Sequence, residues 1–164
     1  MMVGITRWQQ QVPIPHLFTE ANGNNHIRLP LEPQVTTNIL DLDTTIPRGA
    51  VAVAANGILI FHPRTNTGVD ALADGQLDNW GGHCGRADDY HYHIAPWHLQ
   101  STLGDTVPIA FSLDGHAIYG DKEADGTAVN YGALDAYNGH THDGSYHFHA
   151  SNSFPYINGC VYLN

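Results

Sequence analysis

The chain has 164 residues with an ordinary hydrophobic content of 42%, enough for one packed domain and too much for a disordered one. A formal charge of −10 with only six basic residues argues against nucleic acid and against an anionic membrane surface, since both attract positive charge. Helix formers are scarce, with one Lys and three Glu against 17 Gly and 9 Pro, so the expected fold is mainly β: a single-domain sandwich, residues 1–164, with long ordered loops.

In chain order, residues 3–8, 26–31 and 34–39 read as strand-like pieces, separated by prolines and by Asn22-Gly23-Asn24-Asn25. His16 and His26 stand alone there and read as surface or hydrogen-bonded residues rather than ligands. The first twenty residues lack the apolar core of a signal peptide, and no stretch approaches the roughly 18–20 apolar residues of a membrane span. Residues 50–54 and 58–61 are apolar runs joined by Asn56-Gly57, a strong hairpin signal. Residues 109–113 and 116–120 repeat that pattern around Asp114-Gly115, 58 positions on.

Two further landmarks recur in the same order. Asp78-Asn79-Trp80-Gly81-Gly82-His83 aligns with Asp135-Ala136-Tyr137-Asn138-Gly139-His140 at an offset of 57. His91-Tyr92-His93 aligns with His147-Phe148-His149 at an offset of 56. Near-constant spacing of three landmarks predicts a duplication, about residues 50–98 and 108–156, folded as pseudo-symmetric halves. Loops at residues 63–77 and 121–134 precede each Asp-x-x-x-Gly-His. The segment from Asp121 to Gly126 lacks the oxygen-ligand spacing of a calcium loop and reads as a solvated turn.

Of twelve histidines, eight fall in two clusters, residues 82–98 and 139–149. In a strand alternate side chains share a face, so His91 and His93 point one way, about 6–7 Å apart, while Tyr90 and Tyr92 point the other. His147 and His149 do the same against Tyr146 and Phe148. With one Gly-His per half, the candidate metal ligands are His83, His91, His93, His140, His147 and His149, in two three-His sites or one shared site. Imidazole suits zinc, and copper is the alternative ion. Asp78 and Asp135 are placed to orient an imidazole from behind. His98 and His142 lack counterparts in the other cluster and rank below the six. His116, whose counterpart is Ile58, is a candidate general base or extra ligand, with Asp114 beside it as a proton shuttle. The pattern supports a metal-dependent hydrolase of esters or phosphoesters acting on a small-molecule substrate. A copper-binding or redox protein, or a non-catalytic metal-binding module, is the alternative. Cys84 and Cys160 allow one staple between the first cluster and the tail, which would indicate a place outside the cytoplasm; two thiols are the other option.

Tyr90-His91-Tyr92-His93, preceded by Gly81-Gly82-His83-Cys84-Gly85, resembles the hallmark of the YHYH-domain family of bacterial, often secreted, proteins. Residues 112–120 are similar to that family's Asp-Gly-x-x-Ile-Tyr-Gly block, and residues 134–140, 146–149 and 154–160 resemble its C-terminal blocks. The resemblance spans about residues 50–162. It departs at Phe148, where the repeat would have a second tyrosine, and at Tyr137, where a cysteine is expected, leaving fewer disulfide options. The resemblance implies a secreted, metal-associated domain and fixes no biochemical activity.

Overall fold

The computed structural model describes residues 27–46, 48–85 and 90–163. The strand expected at residues 3–8, together with His16 and His26, lies outside them. The fold is mainly β, in two sheets: β1 (Ile39–Asp41), β2 (Ala50–Ala54), β3 (Leu59–Phe61), β4 (Gly82–Cys84), β5 (Tyr90–Tyr92), β6 (Ala110–Ser112), β7 (Ala117–Tyr119), β8 (Gly139–His142), β9 (Ser145–His149) and β10 (Cys160–Tyr162). Among the described residues a short α-helix, α1 (His98–Leu103), links β5 to β6, and a single 3-10 turn covers Tyr131–Ala133. Residues 34–38 do not form the expected strand; only the three residues of β1 pair, with β10.

Eight strands form one sheet in the order β4-β5-β3-β2-β6-β7-β9-β8. The order reads the same way from either edge once β4, β5, β3 and β2 are matched to β8, β9, β7 and β6. The hairpin β2–β3 turns at Asn56-Gly57, with Gly57 at φ 83°, and β6–β7 turns at Asp114-Gly115, with Gly115 at φ 91°. Glycine takes this left-handed backbone without steric cost. The His-bearing strand then joins each hairpin in parallel, β5 on β3 and β9 on β7, and an antiparallel edge strand closes each half. The halves meet edge to edge through the antiparallel β2–β6 ladder, Val53 opposite Phe111.

The strand alternation sorts the side chains. Tyr92, Phe148, Ile60 and Ile118 are fully buried on one face, in a core that also takes Val51, Ile109 and Ile157. The layer covering this face differs between halves. Over the second half lies β10, whose Tyr162 stacks on Phe148 with ring centroids 6.4 Å apart. Over the first half lies α1, whose buried Leu99 belongs to the core and whose His98 approaches the Tyr92 hydroxyl at 3.4 Å. The small β1–β10 sheet over the large one is consistent with the sandwich class.

Candidate metal centres

Each His-x-His strand is held in register by an aspartate turn. Asp78 Oδ1 accepts the backbone N–H groups of Trp80 and Gly82, and Tyr90 donates its hydroxyl to the same carboxylate. Asp135 Oδ1 likewise accepts from Tyr137 and Gly139, and its Oδ2 takes the Tyr146 hydroxyl at 2.7 Å. Gly81 at φ 85° and Asn138 at φ 64° complete the two turns, and their carbonyls receive the N–H of His93 and His149. The sequence placed both aspartates to orient an imidazole; each instead grips a tyrosine on the core face. Burial of Tyr90 and the neighbouring Asp78 charge push the phenol far up, so it stays a donor.

On the opposite face the imidazoles converge. His83, His91 and His93 form one group, and His140, His147 and His149 form a second with Glu123. The six histidines singled out by the repeat therefore lie in two separate triads, not in one site shared between the halves. In the first, His93 Nε2 is 3.1 Å from Nε2 of both His91 and His83. In the second, His147 Nε2 is 3.1 Å from His149 Nε2, and Glu123 Oε2 is 2.9 Å from the former and 3.3 Å from the latter. Glu123 Oε1 reaches His140 Nε2 at 3.1 Å.

These donor sets fit a metal ion. Two nitrogens at a tetrahedral zinc, with Zn–N of about 2.0–2.1 Å, are separated by roughly 3.3 Å. His93 donates from Nδ1 to the carbonyl of His62, and His149 from Nδ1 to that of Gly120 at 2.9 Å, which leaves each Nε2 as a lone pair aimed at the cluster. Burial lowers the His93 pKa to about 4 against the partial support of that carbonyl, and burial likewise lowers His149. Both are thus in the neutral, ligating form. Burial alone would raise the Glu123 pKa, but the hydrogen bond to His147 and the nearby imidazoles bring it below the usual carboxylate range. The buried Nε2 of His140 makes no hydrogen bond; Glu123 is close to it but off the bonding line, an arrangement suited to two ligands of one ion.

The surroundings of the triads differ. The first lies at the wall of a cavity of about 620 Å³ that Arg48, Arg64, Thr65, Asn66 and Gln76 also line. Phe61 stacks on His91 at 4.2 Å. In the second half Tyr119 takes the place of Phe61, 5.1 Å from His147.

The remaining candidates are not brought to either triad. His116 is 2% exposed on the core face, with its ring edge against Tyr146, Phe148 and Tyr162. Asp114 is 4% exposed and accepts the N–H of His116 and of Tyr162, at 3.1 and 2.7 Å. The contacts of this pair are with Tyr146, Phe148 and Tyr162 on the core face, so the structure does not bring the proton shuttle expected of Asp114 and His116 to the imidazoles. His98 packs on Trp80 and Tyr92. His142 sits with Asp125 and Asp143 in an exposed group. Cys84 and Cys160 are not bonded to each other: one lies on the edge strand β4, the other in the core on β10. Glu123, 2% exposed, is the residue the sequence reading missed, because it lies inside a segment taken for a solvated turn. The repeat offset of 58 would have singled it out, as a carboxylate where the first half has Thr65.

Neither a curated protein nor a solved structure matches the chain. The family model described as "YHYH protein" matches residues 26–131, a span that holds the first triad, Asp114, His116 and Glu123 and stops short of His140, His147 and His149. That span is well over half of the sequence, and with the Tyr-His-Tyr-His strand now seated in its triad, the chain belongs to the YHYH family.

Proposed function

We propose that the chain is a metal-dependent hydrolase of small anionic esters or phosphoesters, working at His83, His91 and His93 with a zinc-type ion. The observation that carries this reading is the cavity beside that triad. About 620 Å³ suits a small molecule. Among the described residues this triad offers an ion three imidazoles, and a tetrahedral ion held by three protein ligands keeps a position for a reacting group, the pattern of reactive rather than closed sites. When bound, such an ion supplies Lewis acidity and a more acidic water.

The chain's own residues do the rest. The His62 carbonyl fixes the tautomer of His93, and Phe61 packs flat on His91 so that neither ring turns away. Arg48 and Arg64 bring two of the chain's six basic side chains to the cavity wall, a local positive field on a protein of net charge −10. Arg64 is steadied by Asp43 at 3.0 Å and by the Phe154 ring at 4.7 Å. An anionic substrate is favoured for that reason. A place outside the cytoplasm is part of the proposal and rests on the family resemblance, since the two cysteines do not form the expected staple.

Copper is the rival ion, because an all-imidazole triad takes it tightly. The deciding experiment is elemental analysis of protein prepared without added metal, followed by apo and zinc- or copper-reconstituted assays on an activated phosphodiester and a carboxylic ester. Activity that returns with zinc and is lost in His93→Ala supports the hydrolase. Activity unchanged by stripping refutes it, and a visible d–d band with redox cycling after copper loading replaces it with a copper protein.

A further inference from the structure

We propose that Glu123, His140, His147 and His149 form a four-ligand site for a zinc-type ion, which fastens the turn of residues 122–128 to the edge hairpin β8–β9. This goes beyond the hydrolase reading; it requires neither an ion nor a reaction at His83, His91 and His93.

What points to an ion is a focus of hydrogen-bond acceptors. A carbonyl can only accept, so a ring nitrogen that faces one carries the proton. His147 Nδ1 faces the Ser145 carbonyl at 3.2 Å, and His149 Nδ1 faces that of Gly120 at 2.9 Å. In both neutral rings Nε2 is then a lone pair, and the two Nε2 atoms are 3.1 Å apart. Glu123 Oε2, a further acceptor, is 2.9 Å from the first and 3.3 Å from the second, while its Oε1 is 3.1 Å from His140 Nε2. Lone pairs at such separations repel one another unless a cation lies among them. A single proton on His147 would join it to Glu123 or to His149 and leave the others unmatched, including the buried His140 Nε2, which makes no hydrogen bond. One metal ion takes all four groups together, and the 3.1 Å between nitrogens is close to the roughly 3.3 Å that a tetrahedral zinc imposes.

The four side chains come from separate parts of the chain, each set in place by backbone bonds. The β8–β9 ladder puts His140 opposite His147. Glu123 N–H donates to the Thr127 carbonyl and Gly126 N–H to that of Glu123, at 2.9 and 3.0 Å, and the bridge Lys122–Ala128 closes the turn. An ion here ties that turn to the edge of the large sheet, with Glu123, His147 and His149 buried and His140 half-buried. Four protein ligands fill a tetrahedral ion, and such a site is typically structural. The turn itself does not need the carboxylate. The first half builds the same turn around Thr65, whose N–H donates to the Val69 carbonyl and whose carbonyl accepts from Gly68, at 2.8 and 2.9 Å. Glu123 therefore serves the imidazoles rather than its own loop.

The test uses the whole chain carrying His93→Ala, which removes a ligand of the other triad, stripped with a chelator and titrated calorimetrically with Zn²⁺ against a competing chelator. One equivalent is expected. Adding His149→Ala should abolish it, and adding Glu123→Thr should weaken it by at least about tenfold, the low end of what loss of even a supporting group costs a metal site. Free Zn²⁺ at about a hundredfold excess over its Kd should raise Tm by about 5–11 °C, and the same concentration should give no shift once His149→Ala is added. With Co²⁺ in place of zinc, inorganic phosphate should leave the visible spectrum unchanged, and should alter it after Glu123→Thr, which opens a ligand position. A His93→Ala protein that binds no zinc overturns the proposal, as does an affinity that His149→Ala or Glu123→Thr leaves unaltered, or a spectrum that responds to phosphate with Glu123 in place. Glu123→Gln, the same shape without the charge, reads the same loss if Glu123→Thr fails to fold. Wild-type protein with this site filled and no hydrolysis would instead refute the hydrolase reading and leave this one standing.

Discussion

Asp114→Asn separates the role the sequence suggested for this residue from the one its surroundings impose. The carboxylate is buried, accepts two backbone N–H groups and faces His116 Nδ1 at 3.0 Å. Hydrogen bonds to a charged group contribute about 1.5–3 kcal/mol each. An amide can accept one of the two N–H groups but turns its NH₂ on the other, leaving a buried donor without a partner. A loss of about 2–4 kcal/mol follows, which for a chain of this size lowers Tm by about 4–16 °C. The pH dependence carries the same signature. Burial alone would raise the Asp114 pKa, but the His116 contact and the two N–H bonds outweigh it, so the folded value lies below that of an unfolded Asp, about 3.9. A depressed carboxylate stabilises the fold above its unfolded pKa, and the contribution disappears as pH falls through the folded value. The variant should therefore show a flatter acid limb below about pH 4. Thermal unfolding across pH, alongside zinc stoichiometry, measures all of this. Metal content at both triads should be unchanged. A variant with wild-type Tm but no activity would refute the reasoning and return Asp114 to the reacting groups.

Other expectations follow from the same geometry. His93→Ala and His149→Ala should each remove about one zinc equivalent by elemental analysis, whereas His26→Ala and His142→Ala should not; equal metal in all four variants would discard the ligand set. At Gly82 a Cβ would strike the backbone carbonyl of His91 and the Tyr90 hydroxyl. Backbone cannot give way as a flexible side chain does, so Gly82→Ala should cost about 1–3 kcal/mol and weaken zinc at the first triad by about tenfold, read by thermal melt and chelator competition. Burial pushes the Cys160 thiol up to about 12, so it should resist alkylation in the native protein and react on unfolding, while electrophoretic mobility stays the same with and without reductant.

The hairpin turns, the His-x-His faces and the separation of aromatic from imidazole sides were legible because each rests on a local rule: glycine at positive φ, or the two-residue period of a strand. Asn56-Gly57 and Asp114-Gly115 turn where they should, and Tyr92 and Phe148 are buried while their flanking histidines converge. What the sequence hid was non-local. No pattern in residues 116–120 says that β10, some forty residues later, will seal His116 against Tyr162. Likewise an Asp five residues before a histidine serves a supporting ligand role or a turn equally well, and only the tyrosine it meets across the strand pair decides. Glu123 lay between these extremes. Its isolation among Asp, Lys and Gly suggested solvent, and only alignment with Thr65 gives it a partner.

That alignment also explains why a turn is where the halves diverge. Positions on β5 and β9 are constrained on both faces: an imidazole towards the cluster, a ring in the core, and a register that fixes which is which. A change there would disturb packing and ligation together. Residues 65 and 123 are under no such double constraint, since their turns satisfy the backbone bonds whatever side chain they bear. One substitution at that point can add or remove a charged ligand without moving a strand. A duplicated scaffold is thus free to carry a carboxylate beside the second triad and a threonine at the matching place in the first. Swapping the two side chains, Thr65→Glu with Glu123→Thr in one protein, should weaken zinc at the second triad and strengthen it at the first, read by chelator competition, while the strands stay as they are. If the double variant loses both ions instead, the turns are not interchangeable and the equivalence ends at the backbone.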